Sequence, residues 1–397
     1  MNSGRTIFAQ LTDFIPLADF RRCVARYDGN CRVRTFSCWD QFLCMAFGQL
    51  TGRESLRDTV TCLRALGGRL YHAGIRGQVS RSTLADANES RDWRIYGDLA
   101  AVLIARARAL YGGEPLEPGV HLRDLDAPVY AFDSTTIDLC LELFPWARFR
   151  RHKSAVKLHT LLDVRGGIPC FVRISGGNMA DVTALDHLPI EPGAFYVLDR
   201  GYIDFARLHR FTSGLAFFVT LAKRDLDYKR MRWAAISPAD KAAGLRSDTT
   251  IRLCGPKSSL RYPEPLRRIG YYNPRWEKRV EFLTNNFELP ALAIAELYDQ
   301  RWSVEVFFKW IKQHLRIKAF YGNTINAVKT QVWIGVIVYL LVAIVRKEMR
   351  IERSMGDLLQ ILSVTILEKE PLSPGFFSEN DHLPKAPNDN QLTLFNL

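Results

Sequence analysis

The chain has 397 residues, 47% of them hydrophobic, with 54 Lys and Arg against 42 Asp and Glu, a formal charge of +12. At roughly 100–200 residues per domain that length implies two or three domains, and the apolar fraction excludes a disordered chain. Scattered glycine (26 residues) and only eight cysteines exclude collagen-like and disulfide-scaffold classes. The basic excess points to a polyanionic partner, nucleic acid first, with a basic enzyme lacking such a partner as the alternative.

Residues 1–20 carry Arg5, Asp13 and Asp19 and contain no long apolar run, so no secretory signal is expected. Residues 1–113 read as helical. Ser37 followed by Asp40 is a capping-box start for an apolar helix to about Leu50. A second helix fits residues 54–63, and a third begins near Ser82 and runs, with an interruption, to Leu110. Arg53, Arg57 and Arg81 at the turns suit a helix-turn-helix-like DNA module, though plain helical packing fits equally well. The cysteines, Cys38 and Cys44 included, form no C-x-x-C pair and no zinc-spaced Cys/His set.

After a Gly/Pro-rich linker, residues 129–133, 157–163, 168–174, 194–199 and 215–222 read as strands. Arg165-Gly166-Gly167 turns the second into the third as a hairpin. This defines an α/β core whose first part is residues 114–222. Residues 223–285 read as a basic β insertion: within 223–283, 15 Lys and Arg face seven Asp and Glu, a net of +8. Arg267, Arg268 and Arg279 are among its cations. Residues 286–370 return to helices, about 290–318, 327–349 and 355–367, and 371–397 form a flexible tail. The 14-residue apolar run 332–345 is shorter than the ~20 residues of a membrane span and reads as a buried helix. A cytoplasmic protein with no membrane partner is expected.

Two carboxylates sit where functional groups of α/β sheets collect, at strand ends: Asp133 in Ala-Phe-Asp-Ser-Thr-Thr and Asp199 in Val-Leu-Asp-Arg-Gly-Tyr. Each alone reads equally as a turn or cap residue. Asp138 is the competitor for the first position. On a continuous helix Tyr298, Arg301, Glu305 and Lys312 fall within one arc of about 60°, beside a stripe of Leu297, Val304, Phe307, Phe308, Ile311 and Leu315. The plain alternative is a salt-bridged helix face. Lys157, His159 and Asp163 share one strand face and offer a phosphate contact or a satisfied polar group. Trp233 and Trp276 offer base stacking or ordinary packing. No phosphate-binding loop is present, so ATP is not expected.

Tyr298-x2-Arg301-x3-Glu305-x6-Lys312 matches the Tyr-Arg-Glu-Lys signature of DDE transposases in the bacterial insertion-sequence-four family. Asp133 and Asp199 look like that family's two aspartates, and Phe282-Leu-Thr-Asn-Asn286 and Phe307-Phe-Lys-Trp-Ile-Lys-Gln-His314 also resemble it. The resemblance implies an RNase H-like catalytic core with a β insertion, a helical DNA-binding domain before it and helices after it. It implies Asp133, Asp199 and Glu305 as catalytic residues and ligands of two Mg²⁺ ions, for which Mn²⁺ can substitute. Such ions, about 3.5–4 Å apart, stabilise the attacking and leaving oxygens of a phosphodiester. Tyr298, Arg301 and Lys312 would contact DNA. The implied function is cut-and-paste transposition by a homodimer on double-stranded DNA: cleavage at terminal inverted repeats and strand transfer into a target. A nuclease that does not join strands and a domesticated DNA-binding protein are the alternatives.

Overall fold

The computed structural model describes residues 4–116, 121–123, 125–150, 153–274, 277–314, 320–373 and 376. Most of the expected tail, 371–397, lies outside them, as do Trp276 and Leu315.

Six helices open the chain: α1 (Ile7–Thr12), α2 (Leu17–Arg26), α3 (Cys38–Leu50), α4 (Leu56–Ala65), α5 (Arg81–Ser90) and α6 (Arg94–Tyr111). The capping box at α3 is present in full, with the Ser37 hydroxyl accepting from the Asp40 amide and the Asp40 carboxylate accepting from the Ser37 amide. The Ser55 and Ser80 hydroxyls cap α4 and α5, accepting from the Asp58 and Thr83 amides. The expected third helix is two, α5 and α6. Arg91 is extended between them, and its guanidinium donates to the Ser37 carbonyl and Gln41 Oε1 at the start of α3.

Among the described residues ten strands form one mixed sheet: β1 (Val129–Leu139), β2 (Arg148–Arg150), β3 (Lys153–Asp163), β4 (Ile168–Gly176), β5 (Phe195–Leu198), β6 (Phe217–Leu221), β7 (Tyr228–Trp233), β8 (Leu245–Leu253), β9 (Leu266–Asn273) and β10 (Lys278–Thr284). Its order is β2-β3-β1-β5-β6-β10-β9-β8-β7, with β4 also on β3. β4, β3 and β1 run antiparallel, and β5 and β6 follow parallel to β1. Three antiparallel strands followed by two parallel ones make the RNase H-like arrangement. Gly166 (φ 73°) and Gly167 (φ 65°) turn β3 into β4, and a Cβ at Gly166 would run into the Tyr111 ring. The basic insertion is not a separate sheet: β10 pairs with β6, so β10-β9-β8-β7 continue the core.

Short helices α7 (Phe205–Ser213), α8 (Pro238–Ala242) and α9 (Pro256–Arg261) lie among these strands. Then come α10 (Ala291–Asp299), α11 (Trp302–His314), α12 (Ile325–Glu348) and α13 (Met355–Thr365). The continuous helix expected over 290–318 is broken at Gln300 and Arg301, where the Gln300, Arg301 and Ser303 amides donate to carbonyls only three residues back. Each half buries against a different part of the sheet. Leu297 and Tyr298 on α10 join Val129, Phe195 and Val197, whereas Val304 and Phe307 on α11 join Ala131, Ile137 and Leu158. The break lets one segment follow two sheet regions that twist relative to one another. α12 is apolar enough to cross a membrane by length and composition, but 89% of its most apolar stretch is buried. It packs against α3, α5 and α6 from the start of the chain, in one apolar core with α13 and this sheet face.

Candidate active site

Asp133 does not end its strand, because β1 continues to Leu139 against β3. What ends is the parallel pairing with β5, whose last partners are Phe132 and Leu198. Asp133 and Asp199 are therefore the next residues on neighbouring strands, where the two chains part. Asp199 caps the 3₁₀ turn Arg200–Tyr202, its carboxylate accepting from the Gly201 amide at 3.2 Å. Asp133 Oδ1 accepts from the Ser134 amide (2.7 Å) and the Tyr202 hydroxyl (3.2 Å). Burial is the main cause that pushes the Asp133 carboxyl above the usual range. The Ser134 amide, Arg301 and Tyr202 pull it down, and Asp199 adds to the rise. Asp138 is exposed, beyond the β5 pairing.

Arg301 lies in the break between α10 and α11, and this puts its guanidinium over the sheet. Nη1 stands 2.6 Å from Glu305 Oε1 and 3.6 Å from Asp133 Oδ2. The side chain is 16% exposed, and its buried Nε has no hydrogen-bond partner. Burial alone would depress Arg301, but Tyr298, Glu305 and Asp199 more than offset it and hold the guanidinium charged. Tyr298 is buried, 5.2 Å from the Phe282 ring and within 5.9 Å of the Arg301 guanidinium; burial pushes its hydroxyl up to about 12. Lys312 donates to the Thr136 carbonyl at 3.0 Å, so its ammonium lies over β1. Five of the six expected residues thus meet in one region, while Lys312 reaches β1 three residues beyond Asp133, and no single helix face gathers them. Tyr298 is on α10, Arg301 in the break, and Glu305 and Lys312 on α11.

Among the described residues no three His, Cys, Asp or Glu side chains are gathered closely enough to hold a metal ion. The donor chemistry nevertheless fits a hard divalent cation, because Asp133, Asp199 and Glu305 offer carboxylate oxygens. A cationic guanidinium already lies against two of them, 2.6 Å from Glu305 and 3.6 Å from Asp133.

The neighbouring polar groups bond mainly to one another, although His159 Nδ1 is left without a hydrogen-bond partner. Lys157 donates to the Met179 carbonyl (2.9 Å) and Asp181 (3.2 Å), and His159 Nε2 meets Ser175 Oγ at 2.9 Å. Asp163 pairs with Arg108. Ser134 Oγ donates to Asp181 at 2.7 Å, so Asp181, which sequence patterning did not single out, joins Lys157 to the strand carrying Asp133. In the insertion, Arg267 is buried with both guanidinium arms on Asp248 (2.9 and 2.7 Å), and Arg268 pairs with Glu281 and covers the Tyr228 ring. Both cations are paired within the insertion, Arg267 buried and Arg268 largely so. Other cations of the insertion are exposed, Arg279 on β10 among them, and three of these, Lys229, Arg230 and Arg232, share β7, a strand that was not expected, with a 65% exposed Trp233.

Residues 124–341 match the family described as Transposase DDE domain, and residues 3–76 match a domain of unknown function. A transposase of Sinorhizobium fredii, y4zB, is 32% identical over 68% of this chain and 72% of its own length. A transposase for insertion sequence element IS5377 of Geobacillus stearothermophilus is 30% identical over 54% of this chain and 55% of its own. Among solved structures, a piggyBac transposase synaptic complex with hairpin DNA aligns with 96% of this chain and 81% of that chain, at 12% identity and a TM-score of 0.45. The chain belongs to the DDE transposases of bacterial insertion sequences, enzymes that act on DNA by hydrolysis and transesterification.

Proposed function

We propose that this transposase moves its element by cut-and-paste transposition, cleaving at terminal inverted repeats and joining the freed ends to target DNA. Asp133, Asp199 and Glu305 are the catalytic carboxylates of this reading. The observation that carries it is the strand register that sets Asp133 beside Asp199, with Arg301 tying Asp133 to Glu305 across the same face. These carboxylates would hold Mg²⁺, or Mn²⁺ in its place, which when bound supplies Lewis-acid stabilisation to the phosphodiester oxygens. Arg301 turns from Asp133 toward a DNA phosphate, as a planar donor suited to that anion. Lys312, anchored over β1, adds a point charge nearby, and Tyr298 packs under Arg301 to set its height. The exposed cations of β7 grip the backbone away from the cut, and residues 1–113 read the end sequence. Two copies bring two ends together.

The test is single-turnover cleavage of a pre-bound element end, followed by joining of a pre-cleaved end to a plasmid. Asp133→Asn, Asp199→Asn and Glu305→Gln should each abolish both steps while retaining end binding, and EDTA should stop the wild type. Cleavage without joining would make the protein a nuclease, and full activity of Glu305→Gln would remove Glu305 from the site.

A further inference from the structure

Both donors to Asp133 converge on one oxygen. The Ser134 amide and the Tyr202 hydroxyl bond to Oδ1, while Oδ2 faces Arg301 on the α11 side. A carboxylate held twice through one oxygen cannot turn about its Cβ–Cγ bond without losing both bonds, so its other oxygen keeps a constant aim. Tyr202 is itself held firmly. It is 3% exposed, its ring meets Phe132 edge-on at 5.0 Å, and its amide donates to the Asp199 carbonyl at 3.0 Å. The turn that carries the second aspartate therefore also carries the hydroxyl that orients the first.

We propose that Tyr202 is a positioning residue of this transposase: its hydroxyl fixes the orientation of the Asp133 carboxylate relative to Asp199 and α11. The inference rests on Asp133 being the first catalytic carboxylate. Tyr202 acts through that carboxylate and touches no reacting atom.

Tyr202→Phe in the full-length protein removes the hydroxyl and keeps the ring against Phe132. Melting temperature and end binding should match the wild type. Single-turnover cleavage should fall about 10- to 100-fold, the range in which ~1 Å misplacements act. Mn²⁺ binding to the uncut protein–DNA complex, read by electron paramagnetic resonance, should weaken roughly tenfold, a readout that a packing role alone would not move. Tyr202→Met, which also fills the space without a hydroxyl, should behave alike at temperatures where both variants are folded. Wild-type cleavage and Mn²⁺ affinity in these variants, or a change in melting alone, would overturn the proposal. Asp133→Asn in parallel separates the two ideas: if it is inactive while Tyr202→Phe is normal, only the positioning role fails, and if it cleaves normally the underlying assignment fails.

Discussion

Removing the Arg301 side chain would leave Glu305 and Asp133 without the cation that lies between them, 2.6 and 3.6 Å from their oxygens. An exposed helix pair contributes only about 0.3–0.5 kcal/mol, whereas breaking a fully buried pair costs about 3–5 kcal/mol. Arg301 is 16% exposed, Asp133 21% and Glu305 33%, so the site lies between these limits. Arg301→Ala should cost about 1–3 kcal/mol in urea unfolding followed by tryptophan fluorescence. Part of that loss is an uncompensated Glu305 charge, so Glu305→Gln in the same chain should return about 1 kcal/mol in a double-mutant cycle. The pH dependence has a definite sign. Arg301 is one of the groups holding the Asp133 carboxyl down, and its removal lifts that carboxyl further above its unfolded value. A carboxyl raised in the folded state contributes stability below its unfolded pKa and loses it as pH rises through the folded one. The deficit of Arg301→Ala should therefore be larger at pH 8 than at pH 5. Both contacts run through Nη1, so Arg301→Lys should recover much of the stability while cleavage stays impaired for want of the planar fork. A loss under about 0.5 kcal/mol with no coupling to Glu305 would refute the reasoning and make this an ordinary surface pair.

If β7 grips the DNA backbone, Lys229→Gln, Arg230→Gln and Arg232→Gln together should weaken binding to all sequences and flatten the logarithmic salt slope by up to about 0.9 per lost phosphate contact; an unchanged slope would move the DNA elsewhere. Arg267→Ala leaves the buried Asp248 carboxylate unpaired, so it should destabilise the protein by about 3–5 kcal/mol in urea without a specific effect on the salt slope. Burial pulls the His159 imidazole down to about 4, and its Nδ1 is buried without a hydrogen-bond partner. The unfolded chain takes up that proton first, so stability present above pH ~6.5 should be lost progressively toward pH 4, by about 3 kcal/mol at most. His159→Gln should flatten this part of the pH–stability curve, and an unchanged acid limb would assign the loss to other groups.

The sequence by itself determined what depends on near neighbours. Ser37 and Asp40 start a helix because they cap each other three residues apart, and Gly166-Gly167 turns β3 into β4 because both adopt positive φ. Residues 332–345 form a buried helix because nothing in that run can face water. The site was legible for a related reason: the two aspartates stand beside strand-like runs, and the 298–312 spacing keeps its members near each other whether or not the helix continues.

Tertiary structure decided what depends on distant partners. Helical periodicity carries no signal for the break at Gln300–Arg301, which exists because α10 and α11 bury against different sheet regions. Asp133 is special within an uninterrupted strand only because β5 stops pairing at Leu198. A basic composition cannot separate paired from free cations, so Arg267 and Arg268 looked like DNA contacts until Asp248 and Glu281 were found against them. Nor could spacing assign the Tyr202 hydroxyl to Asp133, 69 residues earlier. That bond forms only when the sheet lays two strands side by side, because register converts distance along the chain into contact.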